Sequence, residues 1–213
     1  MKLIHGIWHE STLPKEDCYV ESWRRHNPKA LVQIWTLEEV RLLMSDELAA
    51  HFDRMPFLLQ RVNVARLVLM QRCGGIYLDL DMECLRPLNE WFERDIFFCR
   101  IDVNNLVCNA ALGSRQAHPF WSRCLAEIMR RPAEIPVSSD GLKTTGAFLL
   151  TDLVDADAEL KAACVPTETF FPGRDYGNDP YTIHHCVSPP RWMGAQFKPD
   201  GTLSTNRPYL VKK

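Results

Sequence analysis

Two aspartates, Asp79 and Asp81, stand two residues apart behind a glycine pair in the stretch Gly74-Gly75-Ile76-Tyr77-Leu78-Asp79-Leu80-Asp81. Read as a strand over 76–83, this stretch puts Ile76, Leu78, Leu80 and Met82 on one side and Tyr77, Asp79, Asp81 and Glu83 on the other. Two carboxylates are then aimed into one space at the C-terminal end of a strand, where open α/β sheets place their ligands. Carboxylates that close repel one another. A hard divalent cation with oxygen ligands resolves the conflict and keeps positions open for water or phosphate oxygens.

Other readings of the pair are weaker. Asp is depleted in strands, so two in phase beside a Gly-Gly turn call for a reason, although residues solvated at a strand exit would need none. Asp79, Asp81, Glu83 and Glu90 fall at plausible calcium-loop positions, but Cys84 occupies the place of the required glycine and Pro87 interrupts the pattern. An aspartyl phosphotransferase would carry a similar Asp-x-Asp, yet Met82-Glu83 follows where a hydroxyl partner belongs.

The elements that must hold this pair alternate. Leu3-Ile4-His5-Gly6-Ile7-Trp8 reads as a buried strand, with His5 a satisfied core histidine. A helix is expected over 15–26, with Pro14 ahead of it, Glu16-Asp17 in its first turn and Asn27-Pro28 as its stop. Leu31-Val32-Gln33-Ile34-Trp35 reads as a second strand, and Thr36 with Glu39 as the capping box of a second helix. Val62, Ala65, Leu69 and Cys73 recur at helical spacing over 60–73, and Gly74 sits where a left-handed cap would end that helix. Strands are expected over 95–99 and 106–112, and helices over 119–130 and 146–153, with Thr144 or Thr145 as N-cap of the last. The final fifty or so residues, rich in Pro, Gly, aromatic and His residues, read as a wall of loops. Strand and helix in alternation specify an α/β sheet.

Composition narrows the class. With 213 residues, 46% of them hydrophobic, the chain can bury a core as one domain over 1–213. A formal charge of -2, with both signs interspersed, argues against a grip on nucleic-acid backbone. No apolar run approaches the roughly 20 residues that span a bilayer, and Met1-Lys2-Leu3-Ile4-His5-Gly6-Ile7-Trp8-His9 is too short and interrupted for a signal peptide, so a cytoplasmic protein is expected. The eight cysteines are scattered without Cys-x-x-Cys or zinc-type spacing and are expected as free thiols. Arg24-Arg25 and Arg130-Arg131 read as solvated helix faces that leave room for a peripheral membrane contact.

Arg61-Val62-Asn63-Val64-Ala65-Arg66, followed by the Gly74 to Asp81 stretch, resembles the Asp-x-Asp sugar-binding region of glycosyltransferase family 32. Ile4-His5-Gly6-Ile7-Trp8, Ser22-Trp23, Asn27-Pro28, and Tyr181-Thr182-Ile183-His184-His185 with Trp192 are similar to further pieces of that family in the same order. The resemblance implies a GT-A type nucleotide-sugar-binding fold, with a mixed, mostly parallel central sheet flanked by helices. It implies a nucleotide-diphosphate-sugar donor, Mn²⁺ or Mg²⁺, and retaining transfer of a hexose to a glycan, glycolipid or protein acceptor, as in polysaccharide biosynthesis.

The same resemblance distributes roles. Trp8 would stack on the base, a role that competes with plain core packing. Arg66 would reach the ribose or the diphosphate and sugar. Asp79 would contact ribose, sugar or metal-bound water, with Tyr77 beside it on the donor side, and Asp81 would hold the metal. His184 would be a further metal or diphosphate ligand, although a surface His pair is the plainer reading of His184-His185. Asn109 and the Thr144-Thr145-Gly146 turn fall where such an enzyme binds sugar hydroxyls, and Trp192 would belong to the lid. One departure stands out. The family usually carries Asp where this chain has Asn63, one helical turn before Arg66; an amide keeps hydrogen bonding and loses charge. The alternative function is therefore a sugar-nucleotide-binding protein with weak or no catalysis.

Overall fold

The computed structural model describes residues 1–9, 13, 18–101, 105–136, 140–172 and 179–185. The strands are β1 (Leu3–Ile7), β2 (Leu31–Trp35), β3 (Gly75–Leu78), β4 (Met82–Cys84), β5 (Ile96–Ile101), β6 (Leu106–Ser114), β7 (Cys164–Val165) and β8 (Thr182–His184). The helices are α1 (Val20–His26), α2 (Leu37–Arg41), α3 (Asp46–Asp53), α4 (Leu58–Arg72), α5 (Pro119–Met129), α6 (Gly141–Thr144), α7 (Ala147–Asp155), α8 (Ala158–Ala162) and α9 (Thr167–Phe170). Six strands form one sheet in the order β2-β1-β3-β6-β5-β7, and β4 pairs with β8 in a separate ribbon. β1 is parallel to β2 and β3, β6 runs antiparallel to β3 and β5, and β5 is parallel to β7. Only β6 therefore opposes the rest, which makes the sheet mixed and mostly parallel, flanked by helices, as expected.

Two apolar layers cover the sheet. On one face α4 lies beneath Ile7, Tyr77, Phe98, Val107 and Leu112, with α5 and α7 beside it. On the other, Ile4, Ile76, Leu78, Phe97, Cys99 and Cys108 pack against Val20 and Trp23 of α1 and against Met82, Trp91 and Phe170. α4 is buried along most of its length, from Gln60 to Met70, because it lies against the middle of the sheet. A helix so placed carries its polar residues into the interior, where each must find a partner.

Several expectations change. The helix expected from residue 15 begins at Val20; residues 14–17 lie outside the described residues. Tyr19 is held outside the helix because its amide donates to the Leu80 carbonyl, 2.9 Å away. Thr36 does form the capping box with Glu39. The strand over 76–83 is not continuous. β3 ends at Leu78, and a turn closed by the Met82 amide on the Asp79 carbonyl (2.9 Å) sends the chain out of the sheet into β4. Trp23 Nε1, donating to the Met82 carbonyl at 2.6 Å, and the Ser22 hydroxyl, accepting from the Cys84 amide, tie β4 to α1 instead. The apolar partition survives the break: Ile76, Leu78, Leu80 and Met82 all share one core layer. Neither Thr144 nor Thr145 caps the later helix. Thr145 closes the C-terminal end of α6, and Gly146 is the N-cap of α7. α3, α6, α8 and α9 go beyond the sequence expectation, each being too short to show a clear period.

No disulfide joins the seven cysteines among the described residues; Cys186 lies outside the described residues. No helix among the described residues is long and apolar enough to cross a membrane.

Gly74 adopts φ +65, the left-handed cap expected after α4, and a Cβ there would lie 2.3 Å from the Gln116 amide nitrogen. Its carbonyl sits 2.8 Å from His5 Nε2, while Trp35 Nε1 donates to His5 Nδ1 at 3.0 Å. These partners fix a neutral imidazole with the proton on Nε2. Burial lowers the His5 pKa from its ordinary 6.5 to about 4. Between those values the unfolded chain binds a proton that the folded chain refuses, so stability is complete above pH 6.5 and falls with pH toward 4. His5→Gln should remove most of that slope, on the order of 3 kcal/mol across the window, as measured by urea denaturation at about pH 7 and about pH 4.5.

Candidate functional site

The turn that ends β3 also builds the site. Tyr77 and Asp79 face α4, and there Asn63 and Arg66, one helical turn apart, present their side chains to them. Arg66 Nη2 donates to Asp79 Oδ1 at 2.8 Å, and the Tyr77 hydroxyl donates to the same oxygen at 2.7 Å. The guanidinium lies over the Tyr77 ring, 4.6 Å from its centroid. Arg66 is 4% and Tyr77 1% exposed. Burial alone would lower the Arg66 pKa, but the adjacent Asp79 charge and the Tyr77 hydroxyl hold it above its ordinary value. Burial likewise pushes the Tyr77 hydroxyl up, so it stays protonated and able to donate.

Below this pair a second set of hydrogen bonds runs through Asn63, which is itself buried. Its Oδ1 accepts from Arg66 Nη1 at 3.2 Å and from Asn109 Nδ2 at 2.9 Å, and its Nδ2 donates to the Thr145 hydroxyl at 3.3 Å. Thr145 in turn donates to the Gly141 carbonyl at 2.9 Å. Gly146 closes over Asn63; a Cβ there would approach Asn63 Nδ2 to 2.9 Å. Asn109 reaches this network because β6 shifts register against β5: Phe98 pairs with Leu112, but Cys99 already pairs with Cys108. The extra residues form a bulge, a device that re-aims side chains near sites.

Asp81 lies on the other side of the turn. β8 pairs with β4 so that His184 stands opposite Met82, and the His185 amide donates to the Asp81 carbonyl at 3.0 Å. His184 Nε2 is consequently 3.2 Å from Asp81 Oδ1. One ligand atom each from Asp79, Asp81 and His184 lies within 4.8 Å of the others, a donor set of oxygen and imidazole nitrogen that suits a divalent cation. Cys84 and Cys108 contribute no thiolate, since burial pushes their pKa values up to about 12 and about 11. Beyond the cluster, His185 contacts Glu83 Oε2 at 3.0 Å and stacks on Tyr19 with centroids 4.1 Å apart.

Of the residues singled out in the sequence, Tyr77, Asp79, Asp81, Asn63, Arg66, Asn109, Gly146 and His184 converge at this end of β3. Trp8 follows β1, parallel to β3, and so lies at the same edge of the sheet; it is half-buried against the apolar layer opposite α4, with His9 edge-on at 4.6 Å. Trp192 lies outside the described residues. Thr145 acts here through its hydroxyl on Asn63, whereas the sequence offered it as a helix cap or as part of a turn near the sugar hydroxyls. A separate apolar groove between α4 and α5, lined by Leu43, Met44, Leu48, Val68, Leu125 and Met129, is remote from the carboxylates.

The family model described as "Glycosyltransferase sugar-binding region containing DXD motif" matches residues 14–98, which include Asn63, Arg66, Asp79 and Asp81. An uncharacterized glycosyltransferase of Acanthamoeba polyphaga mimivirus is 25% identical over 162 residues, covering 71% of this chain and 63% of the relative. Inositol phosphoceramide mannosyltransferase 3 of Schizosaccharomyces pombe is 26% identical over 133 residues, covering 61% of this chain and 37% of the relative. The chain thus spans less than two thirds of the length of these relatives. Among solved structures, the PaToxG glycosyltransferase superposes with a TM-score of 0.57 at 16% identity, covering 76% of this chain and 73% of that one, which supports the GT-A-like fold.

The Thr145 hydroxyl is the acceptor for a buried amide. Thr145→Val keeps the shape and leaves Asn63 Nδ2 without it, so the folded state should lose about 1–3 kcal/mol in urea denaturation, while Thr145→Ser should lose much less.

Proposed function

We propose, on the premise that the chain belongs with the family-32-type glycosyltransferases carrying the DXD sugar-binding region, that it transfers a hexose from a nucleotide-diphosphate sugar with retention at the anomeric carbon. The observation that carries this reading is the convergence of Asp79, Asp81 and His184 within 4.8 Å, beside Arg66, at the C-terminal end of β3. Asp81 and His184, with Asp79, are the residues suited to hold Mn²⁺ or Mg²⁺. The ion, when bound, offsets the negative charge that builds on the diphosphate as the sugar–phosphate bond breaks, an effect of several kcal/mol.

The chain's own residues orient the donor. Asp79, held by Arg66 and Tyr77, is presented as an acceptor for ribose or sugar hydroxyls. Arg66 Nε is buried with no hydrogen-bond partner among the described residues, the kind of donor that a bound substrate oxygen would satisfy. Trp8 offers an aromatic face at the neighbouring strand end for the base. Asn109 and Gly146 border the sugar side, and Trp192 is assigned to the lid. Retention of this kind needs no carboxylate base on the acceptor side, and none is assigned.

The relatives' names favour a mannosyl donor and a lipid acceptor, since two are called inositol phosphoceramide mannosyltransferase and mannosyl phosphorylinositol ceramide synthase. We assign this chain a glycan, glycolipid or protein acceptor, met on the cytoplasmic side and, for a lipid, through a peripheral membrane contact.

Nucleoside-diphosphate mannose, followed by other nucleotide sugars, should raise the melting temperature of the full chain in the presence of Mn²⁺ and much less after chelation. Mn²⁺-dependent release or transfer of the sugar should fall on the order of a hundredfold or more in Asp81→Ala. A complete donor panel with neither metal-dependent stabilisation nor turnover would rule the proposal out.

A further inference from the structure

We infer that Asn63 is a positioning residue whose neutral amide reserves the charge of Arg66 for Asp79, so that Asp79 enters the cation site with its charge already offset. The inference rests on the reading of Asp79, Asp81 and His184 as that cation site.

Arg66 reaches two acceptors: Asn63 Oδ1 through Nη1 at 3.2 Å and Asp79 Oδ1 through Nη2 at 2.8 Å. A buried guanidinium is stabilised by carboxylates far more than by neutral oxygens. Among the described residues its ion pair is with Asp79. Asp79 Oδ1 also accepts from Tyr77, so two donors, one of them charged, already draw on its negative charge before any metal arrives.

Asn63 cannot turn aside. Asn109 holds its oxygen at 2.9 Å, Thr145 holds its nitrogen at 3.3 Å, and the Gly146 backbone lies so close that a Cβ on it would come within 2.9 Å of Asn63 Nδ2. A carboxylate at this position of α4 would keep Arg66 and Asn109 as donors to one oxygen, and its other oxygen would draw the Thr145 proton away from the Gly141 carbonyl. Arg66 would then stand between two carboxylates, its charge divided, and Asp79 would regain the part of its own charge that Arg66 now offsets. A free divalent ion would bind more tightly to the Asn63→Asp variant than to this chain. Here the cation is instead favoured when it arrives together with the anionic oxygens of the donor, which restore the negative charge that Arg66 removes.

Binding of Mn²⁺ alone to the full chain, followed by loss of the electron paramagnetic resonance signal of the free ion, tests this without reference to turnover. Asn63→Asp and Arg66→Gln should each bind Mn²⁺ on the order of tenfold more tightly than the wild type. The double variant should gain clearly less than the product of the two factors, because both act by releasing Asp79 from one guanidinium. Tyr77→Phe removes the other donor on Asp79 and keeps the ring; it should tighten binding in the same direction by a smaller factor, and it carries the test should Asn63→Asp or Arg66→Gln not fold. Unchanged Mn²⁺ affinity in Asn63→Asp or in Tyr77→Phe, or factors that multiply in the double variant, would overturn the inference while leaving the cation site standing. Binding that Asp81→Ala leaves intact would overturn the cation site and the inference with it.

Discussion

A guanidinium that is 4% exposed needs a carboxylate beside it, and the meeting of Arg66 with Asp79 is the constraint around which this end of the molecule is arranged. α4 supplies Arg66 because that helix lies against the middle of the sheet and has almost no wet side. β3 supplies Asp79 because the strand ends one residue earlier. If either element moved by a residue, the charge would be stranded in an apolar layer, at a cost of several kcal/mol. The pair therefore locks the register of the central helix against the central strand, and the same lock aims Asp79 toward Asp81 and His184.

The surrounding polar residues keep that arrangement unique. Tyr77 donates to the Asp79 oxygen that Arg66 uses, Asn63 steadies the guanidinium from one turn earlier, and Asn109 and Thr145 hold Asn63 by both ends of its amide. These groups come from α4, β3, β6 and the α6–α7 junction, so every layer near the site contributes one member. Networks of this type tolerate little partial satisfaction, because an unpaired buried polar group costs more than a formed bond returns. Within this network Arg66 Nε is buried without a hydrogen-bond partner among the described residues.

On the opposite face the design is mechanical. The turn over Asp79, Leu80, Asp81 and Met82 throws β4 out of the main sheet, and α1 catches it through Trp23 and Ser22. β8 then pairs with β4 and carries His184 to Asp81 from the far end of the described chain. The site is thus assembled between a rigid sheet and a ribbon, with one carboxylate on each.

Much of this was legible in the chain itself. The glycine pair, the in-phase aspartates, the helical spacing ahead of them and the alternation of elements determined an α/β sheet with paired carboxylates at a strand end, since those features depend on local backbone geometry and on a two-residue or 3.6-residue period. The partition of Ile76, Leu78, Leu80 and Met82 to one layer followed from the same period even though the strand breaks within it. The break itself, the late start of α1, the role of Thr145 and the burial of Asn63 were not legible, because each is set by a partner far away in sequence: the Leu80 carbonyl for Tyr19, α1 for β4, Asn109 and Thr145 for Asn63. That the two aspartates differ, Asp79 bound to a buried cation of the protein and Asp81 set beside a histidine, was decided only by tertiary structure, since their spacing is symmetric and only the packing of α4 and β8 around them is not.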